Sequence, residues 1–230
     1  MISKNKTPGN LMDSTQYFVF YLSLALSKVD KIAFLTKSLL ETADFRIWLK
    51  RHFDDKPTHK TKHDLLGAIL AKQGEAPLTH YIEFGVAYGD TAQFILENAK
   101  GKYVYSGFDT FEGLPEPWRR LQAGAFSNGG MVPGIHEENF VFYKGLINDT
   151  INEIQIQENS TRIVLFDFDL YQPTLFAFQY LIPHLNKGDI LYFDEAFDSA
   201  ERTIIENYVL TRYRLKFLGA TSLALAVEIQ

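Results

Sequence analysis

Three short strand-like runs in this chain each end on an acid, and that recurrence constrains the fold more than any other feature. They are Tyr103-Val104-Tyr105-Ser106-Gly107-Phe108 before Asp109, Arg162-Ile163-Val164-Leu165-Phe166 before Asp167, and Ile190-Leu191-Tyr192-Phe193 before Asp194. A fourth, Tyr81-Ile82-Glu83-Phe84, runs into the turn Gly85-Val86-Ala87-Tyr88-Gly89. Runs that are apolar along their length suit central strands of a parallel sheet covered on both faces. Ligands of such sheets sit at the carboxyl ends of the strands, where these acids lie.

The stretch between Thr79 and Pro115 reads as strand, glycine turn, helix, strand, acid. Asp90 or Thr91 can cap the helix, and Ala92, Phe94, Ile95 and Ala99 supply its apolar face. Glycines at Gly85 and Gly89 let the backbone come close to a ligand. Asp109, 20 residues past Gly89, stands where ribose hydroxyls are read. The turn is G-x-x-x-G rather than G-x-G-x-x-G, and Glu83 beside it would repel a diphosphate. S-adenosylmethionine, an adenosine carrying a sulfonium and an amino group, fits this setting. The same residues also suit an ordinary βα turn with a solvent-facing Asp109.

Asp167 and Asp194 are separated by one predicted helix, and neighbouring strands would bring them about 4.8 Å apart. Two carboxylates so placed repel unless a positive charge lies between them. Magnesium is the simplest such charge, with Glu195 or Asp169 adding an oxygen. Otherwise one acid caps a helix and the other faces water. A third strand, Val141 to Lys144, ends on Gly145, where an adenine could lie against the backbone. The segment from Thr110 to about Pro133 is long and irregular, either an acceptor-site loop or a surface excursion. His136 borders it and is a candidate general base or a structural histidine; His136 to Asn139 reads as a helix turn.

The chain has 230 residues, 46% hydrophobic and 14% aromatic, enough for one α/β domain with an appendage. A net charge of -5 without a basic cluster makes nucleic acid and anionic membrane poor partners. The absence of cysteine removes disulfides, thiolate zinc sites and a cysteine nucleophile, and fits a reducing, cytoplasmic setting. No run reaches the ~18 apolar residues of a membrane span. The nearest, Tyr17 to Leu26, follows Lys4 and Lys6 as a signal peptide would, but it is aromatic-rich, follows Asp13 and has no small-x-small cleavage site. It reads instead as a buried or oligomer-forming helix. Residues 1–10 read as a frayed terminus; helices are expected over Leu11 to about Lys28, Asp30 to about His52 and His63 to about Gln73, with a break at Asp54-Asp55-Lys56-Pro57. Residues 1–75 thus form a helical prefix, a lid or dimerisation surface, ahead of an α/β domain over 76–230. Two last strands, about Tyr213 to Leu218 and Leu223 to Ile229, form an antiparallel hairpin that closes a mostly parallel seven-stranded sheet with helices on both faces.

The segments YIEFGVAYGD, FDTFEGLPEPW, LFDFDLYQPT and GDILYFDE, in this order from about His80 to Tyr208, resemble the macrocin O-methyltransferase family. Its members are Rossmann-like class I S-adenosylmethionine-dependent enzymes that methylate sugar hydroxyls of natural products. The resemblance implies that Glu83, Gly85 and Gly89 border the methionine portion of the cofactor, and that Asp109, with Thr110 and Phe111, holds the ribose. It implies magnesium on Asp167, Asp194 and Glu195, with Asp169 beside it. The chain departs from the family at Phe168 and Asp90, where glycine is usual, at Glu195 and Ala196, where aspartate and tyrosine are usual, and over Ala123 to Gly134.

The chemistry expected is magnesium-assisted transfer of a methyl group to a hydroxyl of a small-molecule acceptor, with Asp169 or His136 as base. A metal-dependent glycosyltransferase gripping a nucleotide sugar through Asp167 and Asp169, a non-catalytic binding protein of the same fold, and an NAD-dependent reductase are the rival readings.

Overall fold

A computed structural model describes Val19, Leu22, Ser23 and residues 30–53, 59–72 and 77–230. The expected terminus over 1–10, the helix over 11–28 apart from those three residues, and the break at 54–57 lie outside the described residues.

Two compact units divide the chain, Met1–Ala43 and Asp44–Gln230. Helix α1, Asp30–Phe53, begins in the first unit and ends in the second. Within the first, Ile32, Leu35, Leu39 and Leu40 are exposed, and Lys37 pairs with Glu41 one turn on at 3.6 Å. No described helix is long and apolar enough to cross a membrane.

The second unit is built on one seven-stranded sheet. Its strands are β1 Thr79–Phe84, β2 Tyr103–Asp109, β3 Phe140–Lys144, β4 Thr161–Phe166, β5 Ile190–Phe193, β6 Leu215–Ala220 and β7 Leu225–Ile229, in the order β3-β2-β1-β4-β5-β7-β6. The first five are parallel, and β7 runs antiparallel between β5 and β6. The final hairpin therefore folds back, so that its second strand meets the parallel sheet. Gly219 and Ala220, expected in its link, belong to β6.

Side chains alternate across each strand, which separates two cores. Ile82, Phe84, Val164, Phe166, Leu191 and Phe193 face one side. There they meet α1 residues Phe45, Trp48 and Leu49, with Phe178 and Leu181 of α5 (Tyr171–Leu181) and Ile204 of α6 (Ser199–Ile204). Tyr81, Tyr105, Ile163, Leu165 and Tyr192 face the other side, with Leu65 and Ile69 of α2 (Lys62–Leu70) and Ile95 of α3 (Asp90–Asn98). A short α4, Ile147–Thr150, follows β3, and α6 continues into a π-helical turn, Ile205–Val209. The expected helix turn at His136–Asn139 is absent; irregular backbone precedes a turn at Glu138 and Asn139.

The register positions the site. Phe84 pairs with Phe108 on one side and Phe166 on the other, and Phe166 pairs with Phe193. Their rings form a continuous row, with centroids 5.3, 5.5 and 4.9 Å apart. The residue after each phenylalanine emerges at the carboxyl edge, so Asp109, Gly85, Asp167 and Asp194 stand side by side on an apolar floor.

Candidate active site

The four strand ends stay in register one residue beyond the floor. Gly85 donates to the Phe108 carbonyl at 2.9 Å, Asp167 to that of Phe84 at 2.8 Å, and Asp194 to that of Phe166 at 3.0 Å. Gly85 has φ 94°, and a Cβ there would fall 2.0 Å from the Asp167 carbonyl oxygen. Any other residue would push β1 and β4 apart. Gly89, at φ 87°, is the residue before α3 and makes no side-chain cap. The expected cap from Asp90 or Thr91 is thus replaced by a left-handed glycine that turns the chain.

Asp109 holds this turn in place. Its Oδ2 accepts the Val86 and Ala87 amides at 2.8 Å each, and its Oδ1 accepts the Phe111 amide at 2.6 Å. An ionised carboxylate has about four acceptor positions, so one remains for a ligand. Phe111 is fully buried and packs edge-on against Phe142, whereas Thr110 lines the cavity.

A cavity of about 830 Å³ opens over the strand ends. Glu83, Gly85, Asp109, Gly145 and the Asp167 to Asp169 run line it, with Leu114, Trp118 and Phe126 from the segment after β2. That segment is held by its own backbone bonds: Phe111 O accepts Asn128 and Gly130, and Leu114 exchanges bonds with Ala125 and Gly124. Phe168 sets its ring 5.6 Å from Phe84 and extends the aromatic floor.

The charge is uneven. Glu83, Asp90, Asp109, Asp167, Asp169, Asp194 and Glu195 line the cavity, against Lys62 as the one cation among its described lining residues. Burial pushes Glu83 up to about 8, against the Tyr105 hydrogen bond and Lys62. Burial, then Asp167 and Asp194, lift Asp169 to about 7. Burial, then Asp194 and Asp169, lift Glu195 to about 9. Glu83 and Glu195 therefore hold protons near neutrality, and Asp169 is poised between its two forms. Asp169 also has φ 61°, a left-handed conformation that costs a non-glycine residue energy and clusters at functional sites.

Asp167 and Asp194 converge as the sequence led us to expect, but the charge between them is Lys62. Its Nζ lies 2.6 Å from Asp167 Oδ2 and 3.1 Å from Asp194 Oδ1. Burial alone would lower the lysine pKa; the two aspartates outweigh it and the net shift is upward. Glu195 Oε2 is buried with no hydrogen-bond partner. No group of three histidine, cysteine or acidic residues among those described is arranged to hold a metal ion. As they stand, these residues do not fit the magnesium placed here.

His136 is exposed and does not line the cavity, so it is not brought to the site. Two residues escaped sequence reasoning. Lys62 sits 105 positions before Asp167, and nothing in its local spacing marks it. Glu201 is fully buried, and its Oε2 accepts the Glu195 amide at 3.1 Å while its Oε1 has no partner. Its position three after the capping Asp198 suggests a capping box, which hides its real contact.

No protein-family model and no curated protein matches the chain. Among solved structures it is similar to CalS11, a calicheamicin methyltransferase, with 20% identity over 98% of this chain and 99% of that one and a TM-score of 0.53. It is also similar to the O-methyltransferase NovP, with 15% identity over 73% and 77% of the two chains and a TM-score of 0.50. With the strand order above, the chain has the Rossmann-like class I methyltransferase fold. At these identities the likeness concerns the fold alone.

Proposed function

We propose that this chain is an S-adenosylmethionine-dependent O-methyltransferase acting on a hydroxyl of a sugar or other small natural-product-type acceptor. The observation that carries the reading is the cavity itself, in which an acid-rich lining surrounds a glycine turn fastened to Asp109. Such a lining favours a ligand bearing positive charge and disfavours the diphosphate of a nucleotide sugar or of NAD. The run Asp109-Thr110-Phe111-Glu112-Gly113-Leu114-Pro115 supports the finer, macrocin-type assignment. The names of CalS11 and NovP point the same way.

Bound there, S-adenosylmethionine would supply a methyl group on a sulfonium, already joined to a good leaving group. The residues then have to hold, align and take a proton. Asp109 offers its remaining acceptor position to the ribose. Gly85 and Gly89 bring the turn after β1 to the methionine end of the donor, and Gly145 lines the cavity where the adenine lies against its backbone. Glu83 and Asp167 border the methionine end. Asp169, poised near 7, accepts the proton of the acceptor hydroxyl as its oxygen takes the methyl group. The cavity volume suits a nucleoside with a second small molecule.

Calorimetric titration with S-adenosylhomocysteine tests the donor site, and a saturated site at ~100 times its dissociation constant stabilises the fold by about 2.7 kcal/mol. Absence of binding would remove the reading. In an acceptor assay, Asp169→Asn should lower kcat by about 10²- to 10⁴-fold while leaving that affinity within about twofold.

A further inference from the structure

The geometry points to Lys62 as the built-in cation of the Asp167–Asp194 pair: while it is in place, the carboxylate site takes no divalent metal. Lysine has three N–H donors. One of them donates to Asp167 Oδ2 and the ammonium also pairs with Asp194 Oδ1 at 3.1 Å, so it occupies the point that a bridging ion would take. Asp194 Oδ1 is doubly engaged, since it also accepts the Tyr192 hydroxyl at 2.5 Å. A magnesium ion needs oxygens at about 2.0–2.1 Å in near-octahedral array, and could reach this oxygen only by displacing one of those donors.

The lysine is delivered by rigid structure. It is the first residue of α2, whose capping box joins Thr61 and Asp64 by reciprocal 3.1 Å bonds. Leu65, Leu66, Ile69 and Leu70 bury the helix against the sheet, and the His59 amide ties its approach to the Ala220 carbonyl at 2.7 Å. The consequence for catalysis rests on the methyltransferase reading. Without a chelating ion the acceptor needs no pair of neighbouring hydroxyls, and an N–H of Lys62 not given to Asp167 is available to a single acceptor oxygen.

The test is calorimetric titration of the full chain with MgCl2 and MnCl2, paired with thermal denaturation in each salt. The wild type should bind neither ion up to millimolar concentrations and should keep its Tm in chelator. Lys62→Met, or Lys62→Gln should the first not fold, should gain Mn2+ or Mg2+ binding at least about tenfold tighter than the wild type, with a matching rise in Tm. Wild-type binding that disappears in Asp167→Asn would overturn the inference, because the lysine would then yield to the metal. A lysine variant that folds and still ignores both ions would overturn it too. If neither variant folds, the wild-type titration decides alone. Titration with S-adenosylhomocysteine on the same samples reports on the donor site separately, so the two ideas fail independently.

Discussion

Asp109 Oδ2 accepts the Val86 amide at 2.8 Å from 23 residues away, and through this contact β2 fixes the shape of the glycine turn after β1. Its carboxylate serves the protein as much as any ligand, because three backbone amides depend on it. Asp109→Ala leaves those donors unpaired beside the cavity. Hydrogen bonds to a charged group contribute about 1.5–3 kcal/mol each when partners are lost, so stability should fall by several kcal/mol and S-adenosylhomocysteine affinity by more than tenfold. Asp109→Asn keeps one acceptor oxygen and should fall between the two. Chemical denaturation with calorimetry on the same samples checks both numbers. Loss of affinity with unchanged stability would mean that the carboxylate serves the ligand alone.

Gly85 and Gly124 share a left-handed backbone, with φ 94° and 83°, but differ in what surrounds them. A Cβ on Gly85 would collide with the Asp167 carbonyl at 2.0 Å, whereas nothing lies within 4 Å of one on Gly124. Gly124→Ala should therefore cost only the conformational penalty of about 1–2 kcal/mol. Gly85→Ala should cost more than twice as much and abolish S-adenosylhomocysteine binding, since β1 and β4 must separate. Equal midpoints in denaturant for the two variants would refute the close approach.

The contrast between these positions shows what could be read in advance. Strand ends were legible because an apolar run stopped by an acid is a local signal, and the acids at 109, 167 and 194 do emerge on one edge. The glycine turn was legible for the same reason. Lys62 was not, because a salt bridge across 105 residues leaves no periodic trace in either segment. Glu201 was read past because its spacing from Asp198 has an innocent local explanation. The insertion of β7 between β5 and β6 depends on how the whole hairpin docks, which no dipeptide in Gly219 to Ser222 encodes.

Glu83 gives the protein a pH dependence of definite sign. Tyr105 donates to it, Lys62 attracts its charge, and Asp167 and Asp109 repel it, but burial dominates and lifts it to about 8 from an ordinary value of 4.5. A folded pKa above the unfolded one means that the native state holds the extra proton. The associated stability is complete below about 4.5 and is lost as pH rises through about 8. The raised Glu195 and Glu201 act in the same direction. His80 acts oppositely: burial, then Arg162, depress it to about 4 from 6.5, so its share is lost as pH falls through that interval. Above pH 6.5 the acids act without that opposition. Wild-type Tm should decline from pH 6.5 to 9, and Glu83→Gln should flatten the decline. An unchanged slope in that variant would show that Glu83 is ionised throughout.

At the opposite edge of the sheet, Asp189 and Arg162 form a buried pair that should govern stability without touching the site. Asp189 Oδ1 accepts the Arg162 amide at 2.8 Å, while Oδ2 accepts the Asn186 amide at 2.8 Å and the Arg162 guanidinium at 3.2 Å. Removing one partner of a buried pair strands the other charge and costs about 3–5 kcal/mol. For a chain of this size each kcal/mol moves Tm by roughly 2–4 °C, so Asp189→Ala should melt about 6–20 °C below the wild type. Its affinity for S-adenosylhomocysteine, measured below the melting range, should stay within about twofold, because the carboxyl edge and its phenylalanine floor are untouched. A large loss of affinity with little loss of Tm would reverse the assignment and make the amino edge part of the binding machinery.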